Sequence, residues 1–435
     1  MSLSRLNPTK KVIASLIARS SYNRMKFARH ITTATHLQDK IVMKTETKNE
    51  WNRALSEAEK IVGYQTSYLS LRYLLSDEIT NLAMHMRKLV GSTHPLVGTG
   101  KSLIYGQGNM QTWGLIVLLV SKMAGHAKGI LESEQDKSAG VLMSQRTLAE
   151  VVEMVRTANM IHSSGVLNLQ HLQKSGNDLS FDSDLIFGNK IALLGGDILL
   201  GNASTQMAQL KNQEVVELMC TAARDISDSH FIGERDVQNN PLPSDPSKKV
   251  EEQMKSAITS EVQVDEVDNR KPFNLKDVMG SPENEWTLRH TLANGTLLGK
   301  SCQSALLLAK QSEELQKQAY FFGKHLALAW QASIDLEPYK TELPLGHKLS
   351  LVSAPILFHL EYDSSLYTEI KKGIETVDDV NFYKIHKEVA KGPGLERTKE
   401  LQSKHTLLAM TELYKFPKSD ARSALENIIL AMQED

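Results

Sequence analysis

Helical periodicity is the feature that most restricts what this chain can fold into. From about residue 50 onward, apolar residues recur at three- and four-residue intervals in stretch after stretch, and no segment alternates convincingly like a half-buried strand. The spacing predicts helices over 50–63, 66–91, 113–125, 139–163, 188–211, 213–227, 285–312, 313–336, 348–360, 364–374, 380–390, 394–414 and 418–433. Short polar turns such as "GSTHPLVGTG" and "KSGNDLSFDSD" separate most of them, and no internal repeat is visible. Helices that each carry an apolar stripe must bury those stripes against one another, so the expected fold class is all-α, in one large domain.

Composition narrows the function. Lys and Arg number 50 against 51 Asp and Glu, so no overall basic field recruits nucleic acid or a membrane surface. The longest strongly apolar run, "LIVLLV" at 115–120, falls far short of the ~18 residues a membrane span needs. The two cysteines, Cys220 and Cys302, lie far apart in apolar helical contexts, which argues against a disulfide framework.

Two segments differ from the helical body. The first 38 residues carry Arg5, Lys10, Lys11, Arg19, Arg24, Lys26 and Arg29 with no acid before Asp39, and Val12, Ile13, Leu16 and Ile17 give them one apolar face. That is the composition of a mitochondrial transit peptide, assigned to 1–40, with the helical domain over 41–435. The stretch 236–284 is polar, densely charged and punctuated by Pro241, Pro243, Pro246 and Pro272. It is expected to be a long surface insertion, partly disordered, between two core helices.

Common site motifs fail on inspection. "PLVGTGKS" at 95–102 places Pro95 where a phosphate-cradling loop needs Gly, and a helix rather than a strand precedes it. No H-E-x-x-H, C-x-x-C or G-x-S-x-G occurs, and Asp378-Asp379 in "VDDVNFY" lacks a third Asp three residues on.

Four stretches carry the argument further: "ANMIHSSGVL" (158–167), "FGNKIALLGGDILLGNAS" (187–204), "AYFFGKHLALAWQASIDLEPY" (319–339) and "SLVSAPILF" (350–358). The first closes the apolar stripe Leu148, Val151, Val152, Val155, Ala158 by pointing His162 and two serines inward. In this order and spacing the four stretches resemble the trans-prenyltransferases that make polyprenyl diphosphates, over most of 80–430. The resemblance implies an isoprenoid synthase helical bundle around a deep central cavity. It also implies a chemistry in which an allylic diphosphate ionises and Mg²⁺ takes up the negative charge of the leaving group. Mg²⁺ requires oxygen ligands, so the family carries two D-D-x-x-D motifs facing each other, the first directly after a helical His.

Measured by that pattern, this chain has lost its ligands. The first motif reads Ser163, Ser164 and Leu167 at the three Asp positions, and the second reads Ile334, Asp335 and Pro338. The basic positions that grip diphosphate fall on Asn109-Met110-Gln111-Thr112-Trp113-Gly114, near Leu172-Gln173 and near Ala293-Asn294. Positions that still match are His162, Gly188, Asn189, Lys190, Gly196, Asp197, Gln331 and Ala354-Pro355. The expectation is therefore no catalytic residue, no metal and no cofactor on this chain, with Mg²⁺ held by a partner. Within the family, the combination resembles the non-catalytic subunits of heteromeric, decaprenyl-type synthases of the mitochondrial matrix that build the ubiquinone side chain. The implied partner is a related catalytic polyprenyl diphosphate synthase subunit with intact motifs. Contact with the inner membrane would be peripheral, through the product. Two rivals stand: a self-sufficient prenyltransferase with an unconventional site, and a helical adaptor or isoprenoid-binding protein sharing only the fold.

Overall fold

The computed structural model describes residues 50–64, 94–97, 112–169, 179–246, 278–344 and 346–434. The chain divides after Glu50, and the body is Trp51–Asp435. The segment 1–40 and the helix expected over 66–91 lie outside the described residues.

The body is helical, and its order follows from where apolar stripes can meet. Helix α1 (51–62) sets Trp51 edge-on against Trp330, ring centroids 4.9 Å apart. Helix α2 (Trp113–Ala124) is apolar all round and buries every residue from Trp113 to Ser121, as a central helix must. After a two-stranded ribbon (β1 Gln135–Asp136, β2 Val141–Leu142) comes α3 (Met143–Gly165), packed on α2 and on α4 (Leu179–Gln209). Helix α5 (Gln213–Ser229) begins where Asn212 accepts a hydrogen bond from the Val215 amide, satisfying an orphan donor of the first turn. Helices α6 (Pro282–His290) and α7 (Thr296–Leu308) are one rod interrupted by a π-turn at Thr291–Gly295.

Helix α8 (Glu313–Leu336) starts at the Ser312 cap, with Glu313 and Glu314 placed where the helix dipole favours acids. It packs on α7 and, at its other side, on α11 (Gly394–Leu413). Helices α9 (Ala354–Tyr362), α10 (Phe382–Val389) and α12 (Asp420–Glu434) complete the body, with short 3₁₀ and α turns between Ser364 and Asp379. The main core joins α1, α2, α3, α4, α5, α7, α8, α11 and α12, and each fully buried Leu, Ile or Val in it contributes about 1.5–3 kcal/mol.

Several expected boundaries move for physical reasons. The helix read as 139–163 begins at Met143, because Val141–Leu142 pair with β1, and strands of two residues are too short to show alternation. The helix read as 188–211 begins at Leu179, and the one read as 348–360 begins at Ala354. Pro355 sits in the first turn of α9, where its missing N–H costs nothing and where it disfavours helix in the residues before it. Part of the stretch expected to be an insertion, 236–284, belongs to the body. Residues 236–246 are built into the body, Asp236 is buried, and 282–284 are already helix, while 247–277 lie outside the described residues.

Candidate functional site

The first degenerate motif closes α3, and its neighbours come from α4. His162 is half-buried, its Nε2 lying 3.2 Å from the Leu193 carbonyl and 3.6 Å from Asp197 Oδ1. A Cβ at Gly196 would sit 2.0 Å from that same nitrogen, so only Gly lets α4 come this close to the imidazole. Gly188 repeats the device one helix segment earlier: a Cβ there would lie 2.3 Å from the His94 ring. His94 Nδ1 accepts from the Leu96 amide at 3.1 Å, which leaves its Nε2 to donate to Asn189 Oδ1 at 3.3 Å. Burial lowers the His94 pKa, keeping the ring in this neutral form.

Asn189 in turn clamps the chain that leaves α3. Its Oδ1 accepts from the Leu167 amide at 2.8 Å and its Nδ2 donates to the Leu167 carbonyl at 2.7 Å. His162, Gly188, Asn189, Gly196 and Asp197 therefore do meet, as a packed seam between α3 and α4. Lys190 on the same helix is exposed.

The three positions that line up with the family's first Asp motif do other work. Ser163 and Ser164 were expected to face inward, yet both are exposed. They stand on the last turn of α3, where the helix leaves its core contacts. Ser163 Oγ donates to Asn159 Oδ1 at 3.1 Å, and Ser164 Oγ donates back to the Met160 carbonyl at 2.5 Å. Leu167 is half-buried and engaged through its backbone. Neutral hydroxyls engaged within the protein give a Mg²⁺ ion no charge to bind.

The second motif has one carboxylate, and it is spent inside the core. Asp335 is buried, and it accepts from Trp286 Nε1 (2.8 Å), the Ala354 amide (2.9 Å) and Gln331 Nε2 (2.9 Å). Ala354 is the first residue of α9, so Asp335 satisfies one of that helix's orphan donors. Burial still dominates and pushes the Asp335 carboxyl up to about 6. Gln331 is held from its other side by Asn294 Nδ2 at 3.2 Å, in the π-turn. Ile334 is partly exposed, and Pro338 lies in the 3₁₀ turn that ends α8, its carbonyl accepting from His386 Nε2 at 3.0 Å.

The positions that line up with the family's basic residues are likewise structural where they are described. Thr112 and Trp113 are buried at the start of α2, and the Gly114 amide donates to Glu153 Oε1 at 2.7 Å. The Arg156 guanidinium lies over the Trp113 ring at 4.4 Å, and burial draws its pKa down to about 10. Residues 109–111 and 172–173 lie outside the described residues. Glu153 and Arg156 were not singled out from sequence. The available signal was a pair of opposite charges three residues apart inside an otherwise apolar stripe. Lys300, bonded to Asp225 at 2.5 Å between α7 and α5, and the buried His325–His405 pair, Nδ1 to Nδ1 at 3.0 Å, had no such signal.

Among the described residues no group of three His, Cys, Asp or Glu side chains is placed to hold a metal ion, and no helix is long and apolar enough to cross a membrane.

Comparison with known proteins places these features in context. No family model matches the chain. It is 36% identical over 386 residues to the all trans-polyprenyl-diphosphate synthase PDSS2 of Homo sapiens, covering 88% of this chain and 87% of that one. It is 26% identical to the mitochondrial hexaprenyl pyrophosphate synthase of Saccharomyces cerevisiae, covering 87% and 93%. Among solved structures, a polyprenyl synthase from Caulobacter crescentus, complexed with calcium and isoprenyl diphosphate, matches with a TM-score of 0.52 at 16% identity, covering 84% of this chain and 97% of that one. A geranylgeranyl pyrophosphate synthase from Lactobacillus brevis matches with a TM-score of 0.51 at 14% identity, covering 93% and 100%. The two structures establish a shared fold.

Proposed function

The chain belongs to the trans-polyprenyl diphosphate synthase family, and from that premise we propose that it is the subunit without a catalytic centre of its own in a heteromeric synthase. That synthase condenses isopentenyl diphosphate onto an allylic diphosphate to build the side chain of ubiquinone in mitochondria. One observation carries the reading. Of the six positions that hold carboxylates in the two family motifs, five are Ser163, Ser164, Leu167, Ile334 and Pro338, and the sixth, Asp335, is buried with three donors on it. Ionising an allylic diphosphate needs a metal cluster that neutralises the departing charge, and one internally satisfied carboxylate cannot assemble it. Mg²⁺ is then held by the catalytic partner, and this chain binds neither metal nor cofactor.

A second observation supports the partner. Helix α4 exposes large apolar side chains on its outer side: Ile186, Leu193, Leu194 and Ile198 are 56%, 47%, 48% and 42% exposed and share one face. Large apolar side chains exposed together on one helix face ask to be covered. Lys190 and Asp197 lie on that face either side of Leu193–Leu194. An antiparallel α4-type helix with the same charges would therefore meet it with opposite charges aligned. The protein that fits is a subunit of the same fold.

The test is to purify the chain alone and with its co-expressed catalytic subunit, then supply Mg²⁺, isopentenyl diphosphate and an allylic primer. No turnover by the chain alone and turnover by the complex are expected. Robust prenyl transfer by the homogeneous chain, undiminished by Asp335→Ala, would overturn the reading in favour of an unconventional self-sufficient enzyme. Failure to bind any synthase subunit would favour an adaptor that shares only the fold.

A further inference from the structure

The residues that follow α5 form a strap, 230–242, pinned from three directions. Arg289 of α6, buried and paired with Glu285 at 2.9 Å, donates to the Ile232 carbonyl at 2.8 Å and the Leu242 carbonyl at 3.1 Å. Asp236, buried, gathers the tip. Its Oδ1 accepts from the Gln238 and Asn240 amides at 3.0 and 2.7 Å, and its Oδ2 accepts from Asn240 Nδ2 and the Val377 amide, both at 2.9 Å. Asn239 adopts a left-handed backbone (φ +64°), which a short polar side chain tolerates and which tightens this turn. The Val237 amide donates to the Glu375 carbonyl at 3.0 Å.

The third direction is the degenerate metal motif itself. His230, with its proton on Nε2, donates toward Ser163 Oγ at 3.3 Å and Asn159 Oδ1 at 3.4 Å. Gln238 pairs with the backbone of Asn168 both ways: its Oε1 accepts from the Asn168 amide at 2.8 Å and its Nε2 donates to the Asn168 carbonyl at 3.0 Å. Asn168 Nδ2 completes the contact by donating to the Val237 carbonyl at 2.9 Å. The strap thus grips the motif at its first position and at the residue after its last.

We propose that residues 230–242 are a built-in latch that replaces a bound metal and diphosphate as the organiser of this end of α3. Carboxylates at 163, 164 and 167 would repel one another and require a cation to settle. The hydroxyl and amide groups present instead satisfy one another without a ligand. The motif is thereby held in a single conformation whether or not substrate is near, and the α3–α4 seam keeps its packing without a ligand. The inference rests on reading 163–167 as a vacated metal site, but not on whether the assembly is active.

Hydrogen–deuterium exchange with peptide resolution tests it on the full chain as purified. Peptides spanning 166–169 and 236–240 are expected to be protected in buffer alone and to be unchanged by magnesium pyrophosphate. Gln238→Ala should speed exchange at 166–169 about tenfold, because the Asn168 amide loses its acceptor and the Asn168 carbonyl its donor, while the body of α3 at 145–158 stays as in the wild type. Where Gln238→Ala fails to fold, the wild-type comparison with and without magnesium pyrophosphate still decides. Exchange at the intrinsic rate in buffer, or protection that appears only with magnesium pyrophosphate, overturns the latch. Ligand-induced protection without turnover sinks the latch alone, whereas turnover by the isolated chain sinks the non-catalytic reading, so the two failures are distinguishable.

Discussion

Asp335 offers the sharpest separation between a structural acid and a remnant metal ligand. Truncation to Ala strips the partner from Trp286 Nε1, the Ala354 amide and Gln331 Nε2 at once. A buried donor left without an acceptor costs about 1–3 kcal/mol, and part of the total is returned because a buried charge is removed too. Asp335→Ala should therefore lose about 3–5 kcal/mol. Asp335→Asn behaves differently. The carboxyl is raised by burial from 3.8 to about 6, so its protonated form contributes stability that is full below pH 3.8 and lost as pH rises through 6. The charged form thus costs roughly 3 kcal/mol at neutral pH, at about 1.36 kcal/mol per pH unit. Asn removes that cost while keeping one acceptor oxygen for Trp286 and Ala354, so it should fall within about 1–2 kcal/mol of wild type near pH 7.5. Urea unfolding followed by tryptophan fluorescence measures both, and the indole of Trp286 reports on the site directly. If Asp335→Ala unfolds like wild type yet abolishes Mg²⁺-dependent turnover of the assembly, the carboxylate is a ligand and the reasoning fails.

Other consequences are open to measurement. Gly196→Ala places a methyl 2.0 Å from His162 Nε2 and should cost about 2–3 kcal/mol in the same unfolding assay, with much of the loss recovered by adding His162→Ala. The triple change Ser163→Asp, Ser164→Asp and Leu167→Asp should yield no prenyl transfer. The first two positions are exposed, so the stability cost falls chiefly at half-buried Leu167, about 1–3 kcal/mol; an active, equally stable triple mutant would contradict both statements. Leu193→Glu with Leu194→Glu should abolish co-purification with the catalytic subunit while leaving the circular dichroism of the chain unchanged, since both side chains are about half exposed. Finally, burial holds His290 and His405 at about 3, far below the usual 6.5, so each binds a proton more readily unfolded than folded and stability falls as pH drops below 6.5. By pH 5 the two together cost roughly 4 kcal/mol, against roughly 1.4 kcal/mol regained at Asp335. Acid unfolding should therefore set in near pH 5, and His405→Gln should move its midpoint down.

Much of the helical frame was legible because amphipathic periodicity is local. Helix α8 begins and ends where the spacing places it, since its cap, acidic first turn and terminating Pro338 all lie within its own sequence. The ribbon at 135–142 was not, as strands of two residues carry no period. Nor was the early start of α4, because Asp182, Ser183 and Asp184 interrupt the apolar stripe there. The candidate site was legible as a pattern of absent ligands but not as a structure. Ser163 meets His230 across 67 residues and Asn168 meets Gln238 across 70, and hydrogen bonds of that separation leave no trace in local periodicity.

The same contacts explain which family-like positions the chain has kept. Ser164 and Ile334 are exposed, so packing places little demand on the side chain at these positions. His162 and Gly196 are bound by steric fit, as are Gly188 and His94, because replacing either glycine forces the helices apart. Asn189 carries both backbone bonds of Leu167, and Asp335 carries an indole, a side-chain amide and the first amide of α9. Each of these side chains has a duty that persists without substrate, and each faces another element of the fold. Packing thus accounts for the positions that match the family: His162, Gly188, Asn189, Gly196 and Asp335 each answer to a neighbouring element of the fold.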